Sequence, residues 1–169
     1  MDAPYHFFSN ARTIDQVSLE HCIGQSLLVR LDFESCPSIE LKHLLPYKSR
    51  LQDTQRIVFN TSWYHRWGSQ GYFTDHPVIT GPAAQFLVDC GVVLVGVDTP
   101  SVDRDPYAAH LTLLGNDVLI IENLSNLDSI VGDEFRLIAT PLAIPGRDGS
   151  PVRAVAMQSA ARGESGDEQ

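Results

Sequence analysis

The sequence lacks the features that define several large classes of protein. Its 169 residues include only three cysteines, Cys22, Cys36 and Cys90, which are scattered along the chain. This spacing suits neither a disulfide framework nor a cysteine metal site, so we expect buried, reduced thiols in a cytoplasmic protein. No apolar run approaches the length of a membrane span and no segment resembles a signal peptide, so we expect no membrane association.

Positive charge is scarce as well. The chain carries 12 lysine and arginine residues against 21 aspartate and glutamate residues, a formal net charge of −9. A nucleic-acid-binding protein would show a basic surface, so we expect no nucleic-acid partner. There is no serine elbow, and no serine–histidine–acid spacing that would suggest a nucleophilic hydrolase. The apolar content of 43% is ordinary for one globular domain with a real core.

The stretch 91–126 carries the most information. Its short, β-branched run Val92–Val97 lies between a glycine and turn residues and predicts a buried strand. A short helix is expected at Tyr107–Leu114, with Asp105 as its N-cap and a proline in its first turn. A second buried strand is expected at Val118–Ile121.

Two polar residues interrupt the apolar pattern of this stretch. His110 falls on the helical face of Tyr107, Leu111 and Leu114, which we expect to point inward. Glu122 ends the second strand and should also point at the interior or a cleft, where a carboxylate must be paired or bound to a metal. The two residues are therefore a candidate metal pair. A hydrogen-bonded core histidine and a strand-end glutamate would give the same pattern.

The beginning of the chain contains a second pair of polar residues with candidate roles in a site. In MDAPYHFF an acid and an imidazole, Asp2 and His6, stand four residues apart around a proline, with aromatic residues behind them. Asp2 is a candidate cation ligand, and His6 is a candidate general base beside it.

These residues resemble those of a known family. The segment DAPYHFFSNARTIDQVSLEHCIG is similar to the end of the signature H-x-G-T-H-x-D-x-P-x-H, with Asp2, Pro4 and His6 in its second half. WYHRWGSQGYFTDHPVIT, LVGVDTPSVD, the His110–Glu122 pair and IENLSNLD follow the same family pattern in order. The pattern is that of the cyclase family of metal-dependent hydrolases, which includes kynurenine formamidase and isatin hydrolase.

The resemblance implies a fold, a reaction and a site. It implies an α/β domain of the swivelling β/β/α type, with a central mixed sheet and short outer helices, in a homo-oligomer (dimer or tetramer). The expected reaction is hydrolysis of an amide, formamide or cyclic amide, with a small aromatic amide or cyclic amide as substrate. Asp2, His110 and Glu122 would bind a divalent metal, and His6 would be the general base. Zinc or manganese suits these nitrogen and oxygen donors.

Only part of the family signature is present. The sequence begins just after the two histidines of H-x-G-T-H, and the family's opening strands are also missing, so the fold is expected to be N-terminally shortened. Two interpretations stay open: a shortened reading of an active enzyme, or a catalytically impaired or dead relative that acts as a binding or structural protein. An exposed sheet edge would favour dimerisation or strand exchange.

The loop 60–80 is rich in aromatic residues. With Phe7, its residues Trp63, Trp67 and Phe73 are candidates for the wall of an aromatic substrate pocket. A loop held to the core by its own rings is the alternative. His65 and His76 lack partners at metal-ligand spacing and are expected to be solvated or satisfied within the loop.

The remaining elements are expected to be short. Helices are predicted at Ser38–Leu45, between an N-cap at Thr80 and a stop at Gly91, and at Ser125–Ile130. Strands are predicted at Leu27–Phe33, Arg56–Phe59, Phe135–Ala139, Leu142–Ile144 and Val152–Ala156. Residues 1–156 should form the cyclase-like domain. Residues 157–169 have little apolar content to bury and are expected to be a disordered tail.

Overall fold

A computed structural model describes residues 1–158, which form an α/β domain. The helices in this range are α1 (Leu19–Cys22), α2 (Leu41–Leu44), α3 (Lys48–Thr54), α4 (Gly81–Asp89) and α5 (Ala108–Gly115). The strands are β1 (Ile23–Arg30), β2 (Ser38–Ile39), β3 (Arg56–Asn60), β4 (Val78–Ile79), β5 (Leu94–Val97), β6 (Leu119–Ile121), β7 (Glu134–Ile138) and β8 (Val155–Met157).

Within residues 1–158, six strands form a central mixed sheet in the order β6-β5-β3-β1-β7-β8. The four strands from β6 to β1 are parallel, whereas β7 is antiparallel to β1 and β8 is antiparallel to β7. β2 and β4 pair in parallel in a separate two-stranded sheet. The α/β class with a central mixed sheet and short helices is therefore confirmed.

Both faces of the parallel strands are covered, which explains their apolar sequences. Every residue of β3, β5 and β6 is buried. One face packs in a cluster with apolar residues of α2, α3, α4 and α5, and the other packs against Leu124, Leu127 and Ile130. Parallel strands buried on both faces need continuous β-branched and aliphatic runs rather than alternation.

The carboxyl ends of the parallel strands lie along one edge of the sheet, and two acids follow them there. Asp98 comes directly after β5, and Glu122 directly after β6. The buried Asp98 carboxylate accepts hydrogen bonds from the Thr61 hydroxyl and from the backbone N–H groups of Thr61 and Trp63. Burial raises the pKa of Asp98, and these hydrogen bonds oppose that shift. Asp98 therefore fixes the start of the loop that follows β3.

The prediction of a helix at Ser38–Leu45 is wrong for its first residues. Ser38 and Ile39 pair with Val78 and Ile79, so they are extended. The helix begins only at Leu41, and Pro46 does not end the helical conformation. Instead it lies in a 3-10 turn, Leu45–Tyr47, that leads into α3, which the sequence did not predict. Proline is compatible with a first helical turn because it needs no donor there.

In the C-terminal part, the observed strands also differ from the predicted ones. No strand forms at Leu142–Ile144, and the last predicted strand, Val152–Ala156, is replaced by β8 at Val155–Met157. The side chain of Gln158 hydrogen-bonds the backbone of Val131. The rest of the predicted tail, residues 159–169, lies outside the described residues.

All three cysteines lie buried as free thiols. Among residues 1–158, no helix combines the length and the apolar character needed to span a membrane.

Candidate metal centre

Three acid and imidazole side chains from separate parts of the chain meet at the carboxyl edge of the sheet. Asp2, His110 and Glu122 each offer one ligand atom, and the three atoms lie within 4.8 Å of one another. His110 Nε2 lies 3.5 Å from Glu122 Oε1. The structure thus brings together the three residues that the resemblance assigned to a metal.

Asp103 fixes the position of His110. One of its carboxylate oxygens accepts hydrogen bonds from the backbone N–H groups of Ala109 and His110, which start α5. Its other oxygen accepts a hydrogen bond from His110 Nδ1. This arrangement leaves Nε2 free to face Glu122 and Asp2. A carboxylate on the far nitrogen is the usual way in which a metal-binding histidine is oriented.

The start and the capping residue of this helix differ from those predicted. The helix begins at Ala108, after Tyr107 in a left-handed conformation, and the capping carboxylate belongs to Asp103 rather than to Asp105. The inward face consists of Ala109, His110, Leu113 and Leu114. Tyr107 and Leu111, which were expected to point inward, are exposed. The buried face therefore includes Ala109 and Leu113 in place of Tyr107 and Leu111, and His110 stays on it.

Backbone pairing holds Glu122 and Asp2 in place. Glu122 follows β6, and its Oε1 accepts a hydrogen bond of 3.3 Å from the backbone N–H of Val102. Asp2 forms an antiparallel bridge with Ile120 of β6, in which its N–H donates to the Ile120 carbonyl at 2.8 Å. Asp2 also bridges Gly149. The first residues are therefore anchored on both sides, and Asp2 does not lie on a loose chain end.

The charges of these groups favour a cation between them. Burial raises the pKa of Asp2, and the nearby Glu122 carboxylate raises it further. Burial alone lowers the pKa of His110, but hydrogen bonds to Asp103 and Glu122 outweigh this effect and raise it to about 9. Without a metal, a proton on His110 offsets the charge of the carboxylates. A divalent cation provides the same compensation, so the donor set fits a metal.

His6 lies beside this group on a 3-10 turn, Pro4–His6. The centre of its ring is 6.1 Å from that of His110. Its Nδ1 lies 2.8 Å from a carboxylate oxygen of Asp148. His6 is partly exposed, which suits a group that exchanges protons with a substrate.

The four aromatic residues proposed for substrate binding occupy different environments. Phe7 stacks on His110 with ring centres 4.8 Å apart, so it borders the candidate metal ligands. Trp63 is only 4% exposed, and its indole N–H donates to the Tyr72 carbonyl. Trp67 and Phe73 are 68% and 69% exposed. Trp63 therefore packs inside the loop, and Trp67 and Phe73 present open faces.

The loop has further internal contacts. His65 Nε2 lies 2.8 Å from the Asp128 carboxylate, and His76 is buried with Nδ1 3.0 Å from the Pro77 carbonyl oxygen. Both histidines are satisfied by nearby groups, as the sequence suggested. The Tyr72 hydroxyl donates to Asn123, the residue after Glu122. The aromatic loop is thereby linked to the edge that carries the site.

Sequence reasoning missed two residues that orient the site, Asp103 and Asp148. Asp103 had a usable signal, since it is an acid shortly before a helix and seven residues before His110. Asp148 lies in a glycine-containing turn, where an aspartate is common for local reasons. Its contact with His6 spans 142 residues of sequence, and no local pattern reveals it.

Comparison with known proteins identifies the family of this chain. Residues 1–104, more than half of the chain, match the family model "Putative cyclase". The chain belongs to the cyclase family. A kynurenine formamidase from Bacillus thuringiensis subsp. konkukian (strain 97-27) is 35% identical over 159 residues, which cover 92% of this chain and 72% of that protein.

Solved structures share the fold of this cyclase-family chain. Isatin hydrolase A from Labrenzia aggregata, bound to benzyl benzoate, superposes with a TM-score of 0.79 at 24% identity, covering 92% of this chain and 70% of that one. A potential metal-dependent hydrolase with cyclase activity gives a TM-score of 0.77 at 24% identity, with coverage of 92% and 75%. The central sheet and its short helices are therefore those of the family.

Proposed function

We propose that this chain is a metal-dependent hydrolase that cleaves the C–N bond of a small aromatic amide, formamide or cyclic amide. The observation that carries the proposal is the convergence of Asp2, His110 and Glu122 beside His6. Family membership supports the reaction class, since curated relatives are kynurenine formamidases. The same reaction type, attack of water on an acyl carbon bound to nitrogen, covers a formamide and a cyclic amide.

Asp2, His110 and Glu122 would hold the metal through one imidazole nitrogen and two carboxylates. This mixed donor set suits zinc or manganese. A bound cation supplies polarisation of the substrate carbonyl and makes a water molecule easier to deprotonate. Three protein donors leave room for substrate and water in the coordination shell.

His6 would move the proton. Its partly exposed ring adjoins the metal ligands, so it can accept a proton from the attacking water and return it to the leaving nitrogen. This transfer needs a neutral ring with a free nitrogen directed away from Asp148. No other histidine in the described residues has a ring centre within aromatic contact of His110.

Aromatic residues would position the substrate. Phe7 borders His110, and the exposed rings of Trp67 and Phe73 lie on the loop that Tyr72 connects to Asn123. A flat aromatic substrate gains binding free energy by stacking on such rings. Trp63 was also predicted to bind substrate. Because it is buried, it would instead support the loop that carries these rings.

Metal content and hydrolysis measured on the same samples test the proposal. The purified chain is loaded with zinc or manganese, bound metal is measured by mass spectrometry, and N-formylkynurenine and isatin are offered as substrates. We expect metal-dependent hydrolysis that is lost in His6→Gln while metal content is kept. Metal binding without turnover of either substrate would instead support the alternative of a catalytically impaired relative.

We also propose a cytoplasmic homo-oligomer, a dimer or tetramer. The free, buried thiols fit a reducing compartment, and β8 presents the exposed side chains of Val155 and Met157 at one end of the sheet. Among residues 1–158 no strand pairs with the outer edge of β8, and such an edge with apolar side chains favours self-association. Sedimentation equilibrium of the chain tests this, and a mass of one chain at micromolar concentration would contradict it.

A further inference from the structure

Within the turn 145–150, residues 148–150 contact the first three residues of the chain. The Ala3 N–H donates to the Asp148 carbonyl at 2.8 Å, and the Ser150 N–H donates to the Met1 carbonyl at 3.0 Å. Between these bonds, Gly149 bridges Asp2. The turn therefore holds the backbone of the segment that carries Asp2 and His6 in place.

One side chain of the turn reaches a reactive group. The carboxylate of Asp148 lies 2.8 Å from Nδ1 of His6. The backbone hydrogen bond between Ala3 and Asp148 holds the backbones of Asp148 and the nearby His6 close together. The contact between the two side chains therefore does not depend on a long, flexible side chain. The hydrogen bond from His6 keeps the pKa of Asp148 below its ordinary value, so the carboxylate is ionised at neutral pH.

An ionised carboxylate decides which nitrogen of a neutral imidazole carries the proton. It can only accept a hydrogen bond, so Nδ1 must be the protonated nitrogen and Nε2 keeps the lone pair. We propose that Asp148 is a positioning residue that fixes the tautomer and ring orientation of His6, leaving Nε2 as the proton acceptor in hydrolysis. The catalytic part of this inference rests on the proposed function, whereas the tautomer does not.

The chain offers a matched control in Asp15. Its Oδ1 accepts a hydrogen bond of 3.1 Å from the backbone N–H of Gly146, at the opposite end of the same turn, and one from the Thr13 hydroxyl. Asp15 therefore supports the turn without touching His6. Asp15→Asn and Asp148→Asn therefore make the same chemical change, at a carboxylate that contacts the turn from outside and at one within the turn that contacts His6.

The tautomer is measured directly on the metal-free protein. Long-range proton–nitrogen NMR shows which ring nitrogen is protonated, and the His6 signal is assigned by its loss in His6→Gln. With the ring neutral, we expect the Nδ1–H form in the unmodified chain and in Asp15→Asn. In Asp148→Ala and Asp148→Asn we expect a shift toward the Nε2–H form. An unchanged tautomer in both Asp148 variants would overturn the inference.

Activity provides the second measurement. We expect Asp148→Asn to lower kcat about 10–100-fold, the usual loss when a residue that orients a catalytic or metal-binding group is changed. KM and metal content should stay close to those of the unmodified chain, and Asp15→Asn should keep its kcat. An equal fall of kcat in Asp15→Asn would show that the turn acts only through folding and would overturn the role of Asp148. If no chain hydrolyses any amide while the tautomer shifts as expected, the proposed function fails and the positioning of His6 stands.

Discussion

At the scale of single residues, His110 shows how a buried polar group acquires its chemistry from its neighbours. Burial disfavours the imidazolium, yet Asp103 on one nitrogen and Glu122 near the other more than offset this penalty. The pKa of about 9 means that the metal-free site holds a proton at neutral pH. A metal-binding histidine must be unprotonated at the coordinating nitrogen, so metal and proton compete for the same ring.

This competition predicts a pH dependence of metal affinity. Because the pKa of His110 is raised to about 9, its imidazole is protonated below that pH and must lose a proton before it can bind. The apparent affinity for zinc should therefore rise about tenfold per pH unit from pH 7 toward pH 9. Competition titration with a chromophoric chelator at several pH values measures it. A flat profile across this range would contradict protonation of His110 in the metal-free site.

The ligands themselves can be tested one at a time. We expect His110→Ala and Glu122→Gln each to lower bound metal by at least tenfold, because the donor atoms lie within 4.8 Å of one another in one cluster. Metal per chain is measured by mass spectrometry after dialysis. The control is His65→Ala, since His65 pairs with Asp128 at the protein surface. Full metal occupancy in either ligand variant would make that residue structural.

At the scale of elements, the loop after β3 is held by two anchors. Asp98 binds its first residues, and the buried Trp63 donates to the Tyr72 carbonyl across the loop. Trp67 packs edge-on against Tyr72 and otherwise faces solvent. Two tryptophans that are four residues apart in sequence thus have different roles.

The two tryptophans give opposite predictions. Trp63→Ala should cost about 3–5 kcal/mol of unfolding free energy, as expected for a large side chain removed from a packed interior. Trp67→Ala should change stability by no more than about 0.5 kcal/mol and should raise KM for an aromatic substrate. Urea denaturation and steady-state kinetics measure the two quantities. Equal stability losses in the two variants would place Trp67 in the core as well.

The turn 145–150 gives a prediction about backbone space. A Cβ on Gly149 would lie 2.8 Å from the Met1 carbonyl oxygen and 3.2 Å from Asp2 Oδ1, so Gly149→Ala must displace the segment that carries Asp2. We expect it to weaken metal binding at least tenfold. Gly146→Ala is the control, since a Cβ there meets nothing within 4 Å, although its φ of +69° costs about 1–2 kcal/mol of strain. Unchanged metal affinity in Gly149→Ala would show that the segment adapts.

At the scale of the whole molecule, the chain spans 72% of the length of the Bacillus kynurenine formamidase that it matches. The 169 residues carry Asp2, Pro4 and His6 of the family signature but no H-x-G-T-H segment. The metal donors that they bring together are one imidazole and two carboxylates. Fewer nitrogen donors give weaker binding of zinc.

A fusion tests whether two further histidine donors strengthen the candidate site. Joining a segment with H-x-G-T-H from a relative ahead of Met1 should raise metal affinity and hydrolysis by at least about 10–100-fold. The control carries the same segment with both histidines changed to glutamine. Equal metal affinity of the fusion and its control would show that these histidines do not reach the site.

The sequence by itself predicted α4, the parallel core strands with a shifted boundary at β1, and the three residues that meet at the candidate metal site. Continuous β-branched runs are needed where a strand is covered on both faces. A carboxylate directly after such a strand, or an imidazole on the inward face of a helix, must be paired or bound to a metal. The motif around Asp2 and His6 then limited those explanations through its resemblance to the family. All of this information lies within a few neighbouring residues.

Only the tertiary structure decided the features that depend on distant contacts. Ser38 and Ile39 are extended because Val78 and Ile79 pair with them, whatever their local preference for helix. Trp63 is buried because the loop folds over it, and a hydrophobic pattern does not show which ring of an aromatic loop faces inward. The contact between His6 and Asp148 joins residues 142 positions apart. A hydrogen bond between such distant residues is fixed by the path of the whole chain, so no local propensity predicts it.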